Sequence, residues 1–459
     1  MLEKRIRDLL LDARAKARKQ KLDAEFNFHR ERSSLIRLGN SSVALSTFEE
    51  LSRLDVTVQQ GRKSGAYSLT SDITSSAQLD EALAIAANNC RAALEKDYDP
   101  IFGAVEESVD DSTGFDPALE TLSPVAKTEL CKRVVDTVKP MGKYDFSGSW
   151  SSGSTEMYYI STANDNEAFR RLTDGRFTMV LKEQEKKWEL QVERTQKRAG
   201  EFSADDVIAG FKGMLPVYER NPGFKTHTNR QRVMFGPEAV SELLGLTVWG
   251  AFIGRMWEEK RAFSSHLKPG DRLFPEAITI ADDPTNPNVY GMPFDFKGHR
   301  RHPRVICDKG ILKSVLYDSA TAARYKRQPT ASDLGNDDFC LAPGTAPAGI
   351  DAGRKLAKDA LYIPHLHYIH MPDPTKGMFT GSSRFNARLI KDGEFTAPLL
   401  SSRVTDTIPS VFSGIAAISS RTIPWNVSST YDRRSPTAMS IPEYIICDNV
   451  RISDVADSF

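Results

Sequence analysis

Apolar and polar positions alternate along two long stretches of this chain, 26–70 and 156–198, with the two-residue period of strands that turn one face to a core. In the first stretch, runs at 34–38, 43–45 and 54–58 fit half-buried strands, and Gln59 to Gly65 (QQGRKSG) reads as a turn between two of them. In the second, Met157 and Tyr159, then Phe177, Met179 and Leu181, then Trp188, Leu190 and Val192 fall on alternate positions. The charged residues between them (KEQEKK, ERTQKR) are expected to form a solvated sheet face. The two stretches look like related β-meanders, a faint sign of duplication.

Helical spacing governs other segments. Leu2, Ile6, Leu9, Leu10 and Ala13 mark a basic amphipathic helix within 1–21, and Leu79, Leu83, Ile85 and Ala86 mark another over 77–96. Helices are also predicted over 124–138 and 203–215, the latter opening on Ser203 with Asp206 three residues on. Residues 99–122 are rich in Asp, Gly, Pro and Ser and read as a linker. After a polar connector at 221–230 comes a strand at 232–235, and Gly236-Pro237 then opens a helix predicted over 238–257. That helix is apolar nearly all round, through Ala239, Leu243, Leu244, Leu246, Val248, Trp249, Phe252, Ile253 and Met256, which predicts burial in a core or at an interface. Gly245, Gly250 and Gly254 each weaken a helix interior by about 1 kcal/mol relative to Ala, so close approach of a neighbouring element is expected to compensate. Strand runs follow at 304–307, 312–317, 366–370, 387–390 and 444–452, with turns such as Asp308-Lys309-Gly310 and Lys391-Asp392-Gly393 that favour antiparallel pairing.

The class is α+β: N-terminal α/β-meander domains followed by a mostly antiparallel β C-terminal domain with one buried helix. The expected division is an N-terminal domain at 1–100, a linker at 101–122, a middle domain at 123–225 and a C-terminal domain at 226–459. The 61 basic and 61 acidic residues cancel, which argues against nucleic-acid binding through bulk charge. Five scattered cysteines (Cys90, Cys131, Cys307, Cys340, Cys447) without a CxxC pair suggest free thiols in a reducing compartment. The N-terminal helix has no apolar h-region and no apolar run is long enough to span a bilayer, so a cytoplasmic protein is expected.

No P-loop, Rossmann glycine pattern, HExxH or GxSxG is present. In HLHYIH, alternation places His365 and His367 on one strand face and His370 on the other; two same-face histidines could ligate a metal with a third donor, or line a cavity. His299 and His302 flank Arg300 and Arg301, a basic turn unsuited to a cation and better suited to an acidic peptide group. Asp282, Asp283 and Asp295 lie in a Pro/Gly-rich stretch where turn chemistry accounts for them.

The second half resembles the C-terminal domain of the TldD/PmbA family, known as modulators of DNA gyrase. The resemblance runs in order through VMFGPEAVSELLGLTVWGAFIG, LFPEAITIADDP, PFDFKGHRRHPRVICDKGILKSVLYDSATAARY and HYIHMPDPTKGMFTGSSRFNARLIKDGEFTAPLLSSRVTDTI, and more loosely through VQQGRKSGAYSLTSD in the first half. The resemblance implies two kinds of subunit. TldD chains carry HExxxH on the helix after the first C-terminal strand, and a later Cys adds a zinc ligand; PmbA (TldE) chains lack those groups. Laid on this sequence, the two His positions fall on Gly245 and Gly250 and the Glu position on Leu246, while the region expected to hold the Cys, 425–438, has none. Lys297 stands where the family's PFDxEG has Glu.

The resemblance therefore implies a PmbA/TldE-like chain with no catalytic residue and no metal of its own. It would pair with a zinc-bearing TldD-like subunit, or with itself when alone, and enclose unfolded peptides for cleavage, as in peptide-antibiotic maturation and antitoxin degradation. No nucleic-acid or membrane partner is expected. His365, His367 and Arg384 are the candidate peptide-binding residues. Two alternatives stand beside this: an independent metal-dependent peptidase with a relocated site at His365, His367 and a carboxylate or Cys447, and a homodimeric peptide-binding protein.

Overall fold

The structure is a computed structural model that describes residues 2–333, 338–429 and 433–459. Its first half is built on a seven-stranded sheet. The long hairpin Asp23–Gly39 and Ser42–Gln60 pairs antiparallel, and Asp23–Gly39 also pairs antiparallel with Tyr144–Ser161, which in turn pairs with Ala168–Glu183. Lys63–Leu69 extends one edge, and Val109–Gly114 and Glu189–Gln196 both pair with Ala168–Glu183. Strands expected in separate domains at 1–100 and 123–225 thus share one sheet. The expected linker 101–122 contributes a strand to it and the one-turn helix Pro117–Glu120. The charges and serines along these strands hid their length, because backbone pairing does not depend on the side chains.

Register sets two unlike faces. On one, Phe26, Phe28, Ile36, Trp150, Tyr158, Phe177, Met179 and Leu181 are fully or almost fully buried. Helices Lys4–Lys19 and Ser76–Ala92 cover one end of that face, and Pro124–Val138 and Ala204–Arg220 the other. Ser203 caps the last helix by accepting from the Asp206 amide at 3.2 Å. The opposite face carries Glu25, His29, Glu31, Arg170, Asp174, Gln191 and Glu193, and these are buried as well. The face expected to be solvated is so at KEQEKK, where all but Glu183 are exposed, whereas Glu193 and Gln196 of ERTQKR are covered. The whole second half sits on the covered part, and polar side chains meet polar side chains there.

The second half wraps a helix, Pro237–Ala251, between a six-stranded and a nine-stranded sheet. The nine-stranded sheet joins Arg230–Phe235 in parallel to Ala360–Ile363 and antiparallel to Ile445–Val455. The expected helix over 238–257 breaks at Phe252 and Ile253, and a short helix, Gly254–Glu258, follows. A Cβ on Gly254 would lie 2.7 Å from the Leu316 carbonyl oxygen and one on Gly250 2.9 Å from Met371 Sδ, so close approach accounts for both; at Gly245 nothing lies nearer than 3.6 Å. All five cysteines are buried and free. No helix among the described residues is long and apolar enough to cross a membrane.

Candidate functional site

Pro237 in the first turn starts the central helix, and Ala239, Val240, Leu243, Leu244, Thr247, Val248 and Ala251 turn into the core. Glu238, Glu242, Gly245, Leu246 and Trp249 recur at spacings of three and four and form a half-open stripe along the other side, where Trp249 is 44% exposed. The helix is thus buried as expected, with Trp249 its one exposed residue and the rest of this stripe half-buried. Reading it as apolar all round counted Leu246 and Trp249 with the core, although they share a face with two glutamates. Two of the three positions implied by the family motif, Gly245 and Leu246, lie on this stripe. The third, Gly250, is buried, and a side chain there would press on Met371 and Phe263.

Facing the first turns of this helix is the polar side of the long sheet. Arg176 donates to Glu193 through Nε at 2.7 Å and Nη2 at 3.2 Å. Burial pushes the Glu193 carboxyl above its ordinary range, against the pull of Arg176. Burial likewise raises Glu242, opposed by Arg176 and reinforced by Glu193, so the two carboxyls and the guanidinium form one electrostatic group. Gln191 is fixed by backbone and side-chain bonds exchanged with Asn386 at 2.9 and 2.8 Å. None of Arg176, Glu193 or Glu242 was singled out from sequence; the signal was present only as charged residues at alternate strand positions.

The sequence-named residues adjoin this group. His365 is buried with Nδ1 directly against a Glu238 carboxylate oxygen. Burial, with Arg176 and His367 nearby, pushes its imidazole down to about 3. The ring is therefore neutral, and neither its Nδ1 nor the Glu238 oxygen it abuts has a hydrogen-bond partner. His367 Nε2 lies 2.9 Å from Arg384, which also donates to Glu189 at 3.0 and 3.2 Å. Partial burial and then the Arg384 charge lower His367. Phe385 touches both imidazoles edge-on. His370 departs from its expected place. Tyr368 takes a left-handed φ of 49°, His367 pairs with Ser382 and His370 with Thr380, and this bulge returns His370 to the face of His367. Cys447 is no third donor: it is fully buried in strand Ile445–Val455, opposite Val233 and Ile415, and burial raises its thiol far above the ordinary range.

Among the described residues, Asp295, His299 and Asp333 bring three possible metal-ligating atoms within 4.8 Å of one another. Asp295 already accepts from the amides of Lys297 and His299 at 2.9 and 3.0 Å, the turn chemistry expected of it. Burial, with Asp295 close by, lifts Asp333 to about 6. Asp283 also closes a turn, accepting from Thr285 at 2.9 Å. Asp282 does more than that. It ends strand Ile280–Asp282 and pairs with the buried Arg301, which Asp338 holds from another side at 2.6 Å. Lys297 forms an ion pair with Glu25 at 2.8 Å and so ties the two halves together.

Residues 228–454 match the family model of the PmbA/TldA metallopeptidase C-terminal domain. A metalloprotease of Archaeoglobus fulgidus is 41% identical over 54 residues, 12% of this chain and 13% of that one. An uncharacterized protein of Methanocaldococcus jannaschii is 28% identical over 119 residues, 26% and 28% of the two chains. The chain therefore spans well under half the length of either relative. Solved structures share the whole fold at low identity. TldE of Thermococcus kodakarensis superposes with a TM-score of 0.81 at 14% identity, covering 97% of this chain and 100% of that one. A proposed modulator of a DNA gyrase from Thermotoga maritima gives 0.82 at 12% identity with the same coverage. One from Bacteroides thetaiotaomicron gives 0.81 at 16% identity, covering 99% and 100%.

Proposed function

We propose, from the premise that this chain belongs to the TldD/PmbA family, that it is the subunit of a two-chain metallopeptidase that carries no zinc and completes the chamber in which a zinc-bearing, TldD-like partner cleaves unfolded peptides. The stripe on helix Pro237–Ala251 carries this reading. A hydrolytic zinc needs three protein donors and an open position for water. Gly245 and Leu246 offer no donor atom, and a larger side chain at Gly250 would enter the space of Met371 and Phe263. The residues at these positions do not fit the metal.

What remains on that stripe suits holding a peptide. Trp249 offers an exposed apolar surface, Glu238 and Glu242 offer acceptors, and His367 with Arg384 lies beside them. His365, held neutral, abuts Glu238 and does not take up a proton near neutral pH. An independent metal peptidase would have to use Asp295, His299 and Asp333, whose central carboxylate is already engaged by backbone amides.

A partner chain is supported by the long hairpin. Residues 54–60 of strand Ser42–Gln60 pair with Lys63–Leu69, whereas 42–52 has only the hairpin partner on one side among the described residues. Val43, Leu45, Phe48 and Leu51 are exposed along that edge, Phe48 at 65%. Such an edge is suited to strand addition by a second subunit. The buried free thiols fit a reducing compartment, and we place the pair in the cytoplasm.

The test is a pull-down of the tagged full chain from its native cells, followed by metal analysis and a peptide-hydrolysis assay. A sister chain with about one zinc, and hydrolysis only when both are present, is the expected result. Phe48→Lys should weaken the pairing. Stoichiometric zinc and hydrolysis with this chain alone would contradict the reading.

A further inference from the structure

A second concavity lies where the first sheet meets the loops of the second half, lined from both sides and 610 Å³ in volume. That is the size of a small-molecule site. Its walls are strongly basic: Arg170, Lys197, Arg198, Arg300 and Arg301 line it, against Asp111 and Glu201.

Some of these charges are already matched. Arg170, whose side chain is only 5% exposed, pairs with Asp111 at 2.6 Å and donates to the Tyr290 carbonyl at 2.8 Å. Arg301 is held between Asp282 and Asp338. This leaves Lys197, Arg198 and Arg300 facing one carboxylate, Glu201, which accepts from the Lys197 and Arg198 amides at 2.5 and 3.1 Å. Lys197 donates to the carbonyls of Pro287 and Val289, and Arg198 to that of Thr113 at 3.4 Å. Carbonyl dipoles satisfy donors but do not cancel charge. The buried Arg170 Nε, moreover, has no hydrogen-bond partner, an uncommon state for a buried donor.

We propose that this cavity binds a compact anion, a phosphate ester or a polycarboxylate, and that the bound anion clamps the two halves of the chain together. Counted with their partners, Asp282 and Asp338 included, five cations face four carboxylates, and an anion would balance the charge left over. Arginine forks recognise phosphate and carboxylate oxygens alike through paired N–H bonds. Burial pushes Lys197 below its ordinary range, with Glu201 and Asp338 pulling against the shift and Arg170 and Arg198 adding to it. Neither the metal question nor the peptide chamber enters into this site, so it stands or falls separately from the proposed function.

Isothermal titration of the full chain with pyrophosphate and with citrate, against chloride at matched ionic strength, tests it. One binding event per chain is expected for at least one of the two, with a raised melting temperature; the preferred probe tells a phosphate source from a carboxylate source. Arg198→Ala and Arg300→Ala should each weaken binding about tenfold or more, and Arg198→Glu should abolish it. Arg198 is exposed, so its replacements leave the fold intact, which a melting curve without anion verifies. Lys132→Ala, on an exposed helix surface, should bind like the parent. Heats no larger than those of chloride, or affinity unchanged by both arginine substitutions, would overturn the proposal.

Discussion

The two faces of the long sheet are both buried, yet they are buried by different physics. One is closed by four helices over an apolar core of Phe26, Phe28, Trp150 and Phe177. The other is closed by the second half of the chain through charges and amides. Arg434 bonds Asp174 at 2.6 Å and the Ser151 hydroxyl at 2.9 Å, and its amide donates to Glu31. Asn426 donates to the Gly175 carbonyl at 3.1 Å and the Tyr290 hydroxyl at 2.7 Å. The apolar face stabilises by removing area from water and tolerates any packing that fills space. The polar face stabilises only while every partner is present, because an orphaned buried charge costs more than its pair contributes. Both the cluster around Arg176 and Glu193 and the basic cavity lie on this second face.

Three tests separate the faces, in order of expected effect. Asp174→Ala leaves Arg434 buried without its carboxylate and should cost about 3–5 kcal/mol in urea unfolding, about as much as Trp150→Ala, at about 3–5 kcal/mol, on the apolar face. The faces then part. The double change Asp174→Leu with Arg434→Met should recover most of the loss, since both charges leave together; no second substitution of that kind rescues Trp150→Ala.

The second test concerns a fully buried charged group on the apolar side. Lys127 is fully buried beside Trp150 and donates to the Ser34 carbonyl and hydroxyl at 2.9 and 2.8 Å. Burial pushes its amine down to about 7 from an ordinary 10.5. Between those values the unfolded chain holds a proton that the folded chain does not, so this group's contribution makes stability rise with pH across that window. Lys127→Met should remove that rise, measured as the difference between parent and variant melts from pH 7 to 10.

The smallest effect belongs to the rim of the polar face. Arg384 is about 40% exposed where it meets Glu189, so Arg384→Ala should change stability by about 0–1 kcal/mol. Peptide affinity of the assembled enzyme should fall while the melting temperature stays put. An equal fall in both would assign Arg384 to structure alone.

Much of this was legible in the chain. Alternation gave the meanders, Pro124–Val138 formed as its spacing predicts, and the α+β class with mostly antiparallel pairing matches. The polar face was misjudged in part because alternation shows that Glu193 and Arg176 point away from the core but not whether water or another layer meets them. The central helix is buried as its apolar residues predict; the half-open stripe along its side is marked only by Glu238 and Glu242, which share a face with Gly245, Leu246 and Trp249. His367 and Arg384 meet because they flank one antiparallel strand pair, a closeness that alternation in HLHYIH does not show. Nor does the bulge at Tyr368 show, since nothing in HLHYIH announces a left-handed tyrosine.

The central claim is that the stripe carrying Gly245 and Leu246 holds no hydrolytic metal. Metal analysis of the chain purified alone and reconstituted with excess zinc, then desalted, addresses it directly. The account predicts no retained zinc above the level of a Gly245→Ala control and no cleavage of an unfolded peptide; about one tightly held zinc per chain, lost together with hydrolysis on chelation, would contradict it.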